Sequence, residues 1–316
     1  MVELLSLERK SSVLVPSKLP CQGRMPTINL TAGCAHGCVY CYAQGYGSYP
    51  GRDKVVIYSN LLERLREDLR RRRKKPEAVW FSPSSDPFQP VPEVLDLTWN
   101  VLDLLFRQGI GVVFLTKGRI PGRHMDLLRA HAPLVRAEIG LITVDRRVVR
   151  ILEPHTASPR VRLEQMRQLV DAGIPTQARV DPIVPGLTDD PCAMHALCAA
   201  LAAAGIREIA ASTLFLRPTL VAALRKHLPP NTFARILAAF KAGKSLRIVS
   251  SQGTVVALPA ARRRKIFDWL GTIAARYGIA MRVCACKNPD LTVGSCGMTS
   301  QGSLPIVERQ LALFSG

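Results

Sequence analysis

Three cysteines within eight residues, Cys34, Cys38 and Cys41, constrain this chain more than any other feature. They stand in the run Thr31-Ala-Gly-Cys-Ala-His-Gly-Cys-Val-Tyr-Cys-Tyr-Ala43. Three thiolates so close in sequence can grip one soft-metal object but cannot complete a four-ligand cage, and structural zinc wants four ligands. A cubane iron–sulfur cluster held by three cysteines keeps one iron open to an external ligand. Gly33, Ala35 and Gly37 are small spacers that let such a loop wrap closely. Buried structural cysteines or part of a zinc knuckle are the other readings of the same residues.

The rest of the chain is compatible with an enzyme that handles a thiolate-bound cluster. Its 316 residues suffice for one large α/β domain with an appendage. Nine unevenly clustered cysteines point to metal ligation rather than a disulfide framework. The first ten residues are too short and too charged for a secretory signal, and no stretch of about twenty apolar residues could span a bilayer. A cytoplasmic, reducing location without membrane attachment is therefore expected. A net charge of +19 and a pI near 10.1 attract polyanions, nucleic acid among them, although solvated basic faces would account for the same excess.

Residues 1–24 read as an irregular arm that carries Cys21. Met25 to Thr31 reads as a first strand. Asn60 and Glu63 form a capping-box-like start to a helix that ends in Arg70-Arg-Arg-Arg-Lys-Lys75. Strand candidates then follow at Ala78–Phe81, Val112–Thr116, Glu138–Val144, Thr176–Val180 and Glu208–Ser212. Amphipathic stretches separate them at Val94–Arg107, His124–His131, Pro159–Asp171 and Pro191–Ala204. Ser158-Pro159 and Asp190-Pro191 have the form of an N-cap followed by proline at the first helical position. Apolar strands alternating with helices predict a parallel sheet of six βα units, a partial barrel short of eight. In such barrels chemistry sits at the carboxyl ends of the strands.

The cysteine spacing, with Tyr40 before the last cysteine, resembles the radical S-adenosylmethionine (SAM) superfamily. The strand-end segments, from Ser82-Pro-Ser-Ser-Asp86 and Thr116-Lys-Gly118 through Glu138 and Leu152-Glu-Pro154 to Asp181-Pro-Ile-Val-Pro-Gly186, resemble its spore photoproduct lyase-like branch between about Ser11 and Thr213. The resemblance implies an α/β fold with a partial (β/α)6 barrel and a C-terminal cysteine-containing extension. It implies a [4Fe-4S] cluster on Cys34, Cys38 and Cys41 whose free iron chelates SAM. Reductive cleavage would then yield a 5′-deoxyadenosyl radical that abstracts hydrogen from a substrate. Ser85, Asp86 and Lys117 would line the SAM pocket, Glu138 would supply a further polar SAM contact, and Tyr40 would lie against the adenine. A reductant such as flavodoxin or ferredoxin is implied as partner. In the DNA-repair lyases a hydrogen-donating cysteine stands three residues before the aspartate matched by Asp86. Here that place is Pro83, so the resemblance implies SAM chemistry turned on another substrate. Arg179 and Asp181 are a candidate ion pair in the barrel mouth.

The barrel pattern lapses after Arg217-Pro218, giving a division into the arm (1–24), the barrel (25–226) and a basic C-terminal region (227–316). Helices are expected at Thr232–Ala242 and Ala260–Tyr277. Between Lys241 and Asp290 there are ten Lys or Arg against two Asp. Arg72, Arg73, Arg263 and Arg264 are the cations expected to meet phosphates if a nucleic acid binds. Cys284, Cys286 and Cys296 form a second set, with Cys21 as a candidate fourth ligand. An auxiliary iron–sulfur cluster, a zinc site, reactive thiols and buried structural cysteines all fit that pattern. Cys192 and Cys198 read as packing residues. The rival to catalysis as a whole is a basic, zinc-bearing nucleic-acid-binding protein.

Overall fold

The computed structural model describes residues 2–17, 25–248 and 253–291. Near the N-terminus lie β1 (Glu3–Leu7), β2 (Val15–Pro16), β3 (Pro26–Ile28), β4 (Thr31–Ala32) and β5 (Lys54–Tyr58). Within the arm expected to be irregular, β1 pairs in parallel with β5, which also carries the antiparallel β4. The expected first strand is thus divided between two sheets, β3 entering the barrel and β4 leaving it to begin the cysteine loop. Helix α1 (Leu61–Arg71) follows, burying Leu61, Leu65 and Leu69. Asn60 does not cap it. Its side-chain oxygen accepts from the Arg9 amide at 2.8 Å and its amide donates to the Arg9 carbonyl, so it fastens the arm instead.

The barrel continues through β6 (Ala78–Phe81), α2 (Pro92–Arg107), β7 (Gly111–Thr116), α3 (Gly122–Ala130), β8 (Val135–Gly140), α4 (Arg146–Leu152), α5 (Pro159–Asp171), β9 (Thr176–Ile183), α6 (Pro191–Ala203) and β10 (Glu208–Thr213). All four residues of β6 are buried, as expected of a strand covered on both faces. Ser158 and Asp190 cap α5 and α6 through their side chains, with proline next in each case. β8 ends at Gly140 rather than reaching Val144. Leu141 and Ile142 stay buried after pairing stops, so the apolar run outlasts the strand.

The C-terminal third holds β11 (Phe215–Leu216), α7 (Pro218–His227), α8 (Pro230–Ala239), β12 (Lys244–Ile248), β13 (Gly253–Ala257), α9 (Ala260–Arg276) and β14 (Ala280–Val283). β11, β13 and β12 make a small antiparallel sheet. The parallel pattern does not end at β10, because β14 pairs with it in parallel. The main sheet runs β14-β10-β9-β8-β7-β6-β3-β2, with seven parallel strands and an antiparallel β2 at the edge. One exposed and three half-exposed residues give β14 too little apolar contrast to be seen in the sequence.

Direction follows from this winding. Helices return antiparallel to the strands, so the Arg70–Lys75 run lies where β6 begins, at the amino end of the barrel. The first turn of α9, which precedes β14, lies at the carboxyl end. The main core fills the space between sheet and helices and includes Cys198, whereas Cys192 is exposed. A smaller apolar layer of Trp80, Val113, Ala210 and Cys284 lies inside the barrel curvature, with Met25, Leu115 and Cys286 against it. Among the described residues no helix is long and apolar enough to cross a membrane.

Candidate functional site

The cysteine loop sits over the carboxyl ends of the strands, and its path depends on glycine. Gly33 has φ +80°, and a Cβ there would lie 2.3 Å from the Lys54 carbonyl oxygen. Backbone and side chains then anchor the loop from several elements. Gln89, fully buried, accepts from the Ala35 amide at 2.8 Å and donates to Thr31 Oγ1. Val39 N donates to Leu152 O at 2.8 Å, and Gln44 Nε2 to Cys38 O at 3.0 Å. Cys34, Cys38 and Cys41 are free and partly exposed, and all three line one cavity with His36, Ser85, Asp86 and Lys117.

Asp86 acts as a brace. One carboxylate oxygen accepts from Phe88 N (2.8 Å) and Thr116 Oγ1 (2.7 Å); the other accepts from Lys117 N (2.7 Å) and lies 3.2 Å from His36 Nε2. Burial alone would raise its pKa. His36 and these donors outweigh that and hold it at about 2. Three protein donors, Phe88 N, Thr116 Oγ1 and Lys117 N, thus fix the Asp86 carboxylate at the wall of the cavity. Ser85 shares a 3.0 Å hydrogen bond with Ser82 and lines the cavity. Lys117 leaves the end of β7 and crosses Gly140, where a Cβ would come within 2.8 Å of its Cγ. Its Nζ stands 5.7 Å from the Tyr40 ring centroid.

Beneath the loop lies a buried ion pair that the sequence reading passed over. Arg162 and Glu153 have side chains 0% exposed and meet at 2.5 Å. Arg162 also donates to Gly140 O, Ala157 O and Thr156 Oγ1 at 2.7 Å each. The Tyr40 hydroxyl donates to the other Glu153 oxygen, which ties the cluster motif to this pair. An arginine on an otherwise amphipathic helix and Leu152-Glu-Pro154 were visible in sequence, but nothing local marks them as partners.

A second cavity adjoins the first, sharing Cys38, Cys41, Tyr42, Pro83, Leu115 and Lys117 with it. Tyr40, Glu138, Arg179, Asp181, Cys284 and Cys286 also line it. The expected pair is present, Arg179 Nη2 lying 3.2 Å from Asp181 Oδ2. It extends at both ends, to Lys287 Nζ at 2.5 Å from Asp181 and to Glu138 at 3.5 Å from Arg179 Nε. Burial pushes the Glu138 carboxyl up to about 7 although Arg179 opposes the shift. β14 thus delivers Cys284 and Cys286 to the same end of the barrel as the first motif. Cys296 and Cys21 lie outside the described residues. Arg263, expected to meet phosphates, is 1% exposed and is held by Asp290 at 2.5 Å and by Asn288.

The chemistry of the three-thiol set can be weighed directly. Burial raises all three thiols, Cys34 to about 12, so thiolates there require a cationic partner. Among the described residues no three His, Cys, Asp or Glu side chains converge closely enough for a single metal ion. A cubane takes its thiolates on separate irons, and the three cysteines share one cavity.

A parallel partial barrel with a three-cysteine loop at its carboxyl end defines a class of enzyme built around a cluster and SAM. The family model of the Radical SAM superfamily matches residues 28–199, and the chain belongs to that superfamily. An uncharacterized protein of Mycobacterium bovis is 30% identical over 213 residues, covering 64% of this chain and 63% of its own length. The radical SAM Nalpha-GlyT isomerase of Pseudomonas phage M6 is 29% identical over 56% of this chain and 36% of its own. Among solved structures, spore photoproduct lyase complexed with dinucleoside spore photoproduct superposes with a TM-score of 0.68 at 16% identity, covering 89% of this chain and 82% of that one. That likeness shows the fold. Superfamily membership implies a [4Fe-4S] cluster, SAM as partner and SAM-cleaving radical chemistry.

Proposed function

We propose that the protein binds its cluster through Cys34, Cys38 and Cys41 and uses SAM to abstract hydrogen from a nucleic-acid substrate. The observation that carries this reading is one cavity shared by the three thiols and Lys117 at the carboxyl end of a parallel sheet. When bound, the cluster would supply one electron to SAM, releasing methionine and a 5′-deoxyadenosyl radical. The chain's own residues do the rest. Lys117 meets the SAM carboxylate, the Ser85 hydroxyl offers a polar contact, and the Tyr40 ring forms a wall for the adenine. Asp86 holds the Lys117 backbone, and the apolar lining of the second cavity keeps water from the radical. An electron donor such as flavodoxin or ferredoxin would supply the reductant in a reducing cytoplasm. Anaerobic reconstitution followed by dithionite and SAM tests the reading. It should give 5′-deoxyadenosine, and stoichiometric zinc without iron or sulfide would overturn it.

The Lys117 assignment has its own test. Lys117→Ala should weaken SAM binding by about 1–3 kcal/mol with iron content unchanged. Gly140→Ala, which pushes the Lys117 side chain aside, should weaken it in the same direction. Equal SAM affinity in both variants, measured by equilibrium dialysis, would remove Lys117 from the site.

The nucleic-acid part rests on the net charge of +19, on where that charge lies, and on two relatives. The phage relative is named for a GlyT isomerase, and the lyase was solved with a dinucleoside. Chain direction favours other cations than those first expected to meet phosphates. Arg72 and Arg73 are at the amino end, away from the cavities. Exposed Lys244, Arg247, Arg264 and Lys265 are carried by the small sheet and by the N-terminal part of α9. Ile248 and Val255 of that sheet line the second cavity. DNA binding should fall steeply with salt as counterions are released. Charge reversal at Lys244, Arg247 and Arg264 should flatten the slope, and reversal at Arg72 and Arg73 should leave it unchanged. Binding that ignores salt would turn the reading toward a small or peptidic substrate.

The second cysteine set belongs to the same proposal. Cys284 and Cys286 border the cavity where substrate would lie, so an auxiliary cluster there would touch substrate or take its electron. About eight irons per chain would support two cubanes. About four, with both thiols freely alkylated, would leave Cys284 and Cys286 as cavity wall.

A further inference from the structure

The wall of the second cavity contains a carboxylate oxygen that no hydrogen bond reaches among the described residues. Glu138 is 4% exposed, and its Oε2 receives no hydrogen bond among the described residues. Buried polar atoms are nearly always satisfied, so an orphan facing a cavity marks where a ligand's donor belongs. Register places it one residue step deeper than the Thr116 level, opposite Leu115 on β7 and Gln177 on β9. It lines the second cavity, which Cys38, Cys41 and Lys117 also border, and is absent from the lining of the one that carries Cys34.

Its neighbours complete a pattern. Arg179 Nε lies 3.5 Å from Glu138 Oε2, and the guanidinium is oriented by Asp181, which Lys287 holds in turn. A carboxyl acceptor thus stands beside a guanidinium donor on one wall. Trp80, Leu115 and Leu214 provide apolar surface around them. A flat ring carrying adjacent N–H and C=O groups matches both features, since its edge meets the polar pair and its faces meet the apolar wall.

We propose that Glu138 and Arg179 form a specificity site for the lactam edge of a nucleobase, Glu138 accepting the ring N–H and Arg179 donating to the adjacent carbonyl. Thymine, uracil and guanine carry that edge; cytosine and adenine present an acceptor in place of the N–H. A buried acceptor facing another acceptor is left unpaired, which is the strongest basis for rejecting an analogue. The rejection belongs to the ionised carboxylate beside Arg179, which can only accept; a protonated Glu138 would carry a donor as well. The site rests on the nucleic-acid reading above and assigns Glu138 to substrate rather than to SAM.

The experiment measures binding of a thymidine dinucleotide to the reconstituted, anaerobic protein with SAM present. The same dinucleotide methylated at both N3 positions, in which a methyl group replaces the donor hydrogen, should bind at least about tenfold more weakly. This arm needs no variant and stands whatever a substitution does to folding. Glu138→Gln keeps an acceptor oxygen and should bind within about threefold of the parent, whereas Glu138→Leu should lose about tenfold or more while SAM affinity is retained. Equal binding of the methylated dinucleotide would overturn the site while leaving nucleic acid as substrate. Loss of SAM affinity in Glu138→Leu would return the residue to SAM. Failure of thymidine, cytidine and guanosine dinucleotides alike to bind at low salt would overturn this site and the nucleic-acid reading together.

Discussion

Cys34→Ala, Cys38→Ala and Cys41→Ala are each expected to abolish 5′-deoxyadenosine formation in anaerobically reconstituted protein. The loop offers three soft ligands on one cavity, so losing any one leaves a cluster with two iron sites open and no replacement thiol from the motif. Iron and acid-labile sulfide should fall by about four atoms each per chain, whatever the second cysteine set contributes. Cys192→Ala serves as the control, because that thiol is exposed on α6. The loop's other anchors, Gln89 and the Leu152 carbonyl, keep the backbone in place, so secondary structure should be preserved. A variant lacking one of the three thiols that still cleaves SAM would end the cluster assignment.

Arg162→Met is expected to be the most destabilising single change away from the cluster. It strands the Glu153 carboxylate, 1% exposed, with the Tyr40 hydroxyl as its remaining bonded partner among the described side chains. Breaking a fully buried pair in this way costs about 3–5 kcal/mol. The Gly140, Ala157 and Thr156 oxygens lose their donor as well. Urea unfolding should show the loss, and Tm should fall by about 2–4 °C for each kcal/mol. The double variant Arg162→Met with Glu153→Leu should recover part of the stability, because an apolar pair removes the stranded charge. Its cluster content should nevertheless stay low, since Tyr40 and Leu152 would lose their fixed relation. A single variant within about 1 kcal/mol of the parent would show that the pair contributes little.

Local features were legible before any coordinates. The three thiols, the buried run of β6, the proline-assisted starts of α5 and α6, and the Arg179–Asp181 pair each lie within a few residues. Short-range geometry therefore constrains them. The features that escaped notice couple distant segments through weak local signals. β1 and β14 are short and largely or half exposed, and each becomes a strand only because β5 or β10 presents an unpaired edge. Asn60 looks like a cap until the Arg9 backbone arrives to take both ends of its amide. Arg263 looks like a surface cation until Asp290 and Asn288 fold over it.

What the sequence by itself determined is the grouping of three thiols, because three cysteines in one short loop remain neighbours in any fold that orders the loop. It also determined the alternation that makes a parallel sheet, since apolar runs separated by amphipathic ones have few other ways to be buried. The tertiary structure alone decided which carboxylate is surrounded by donors. Asp86 and Glu138 are both acids near strand ends, yet one accepts from Phe88, Thr116 and Lys117 and the other has an oxygen that no hydrogen bond reaches among the described residues. It also decided which cations face the site, because the end of the barrel that a charge occupies depends on chain direction. Charge and hydrogen-bonding capacity are written residue by residue, whereas satisfaction and position belong to pairs brought together across the fold.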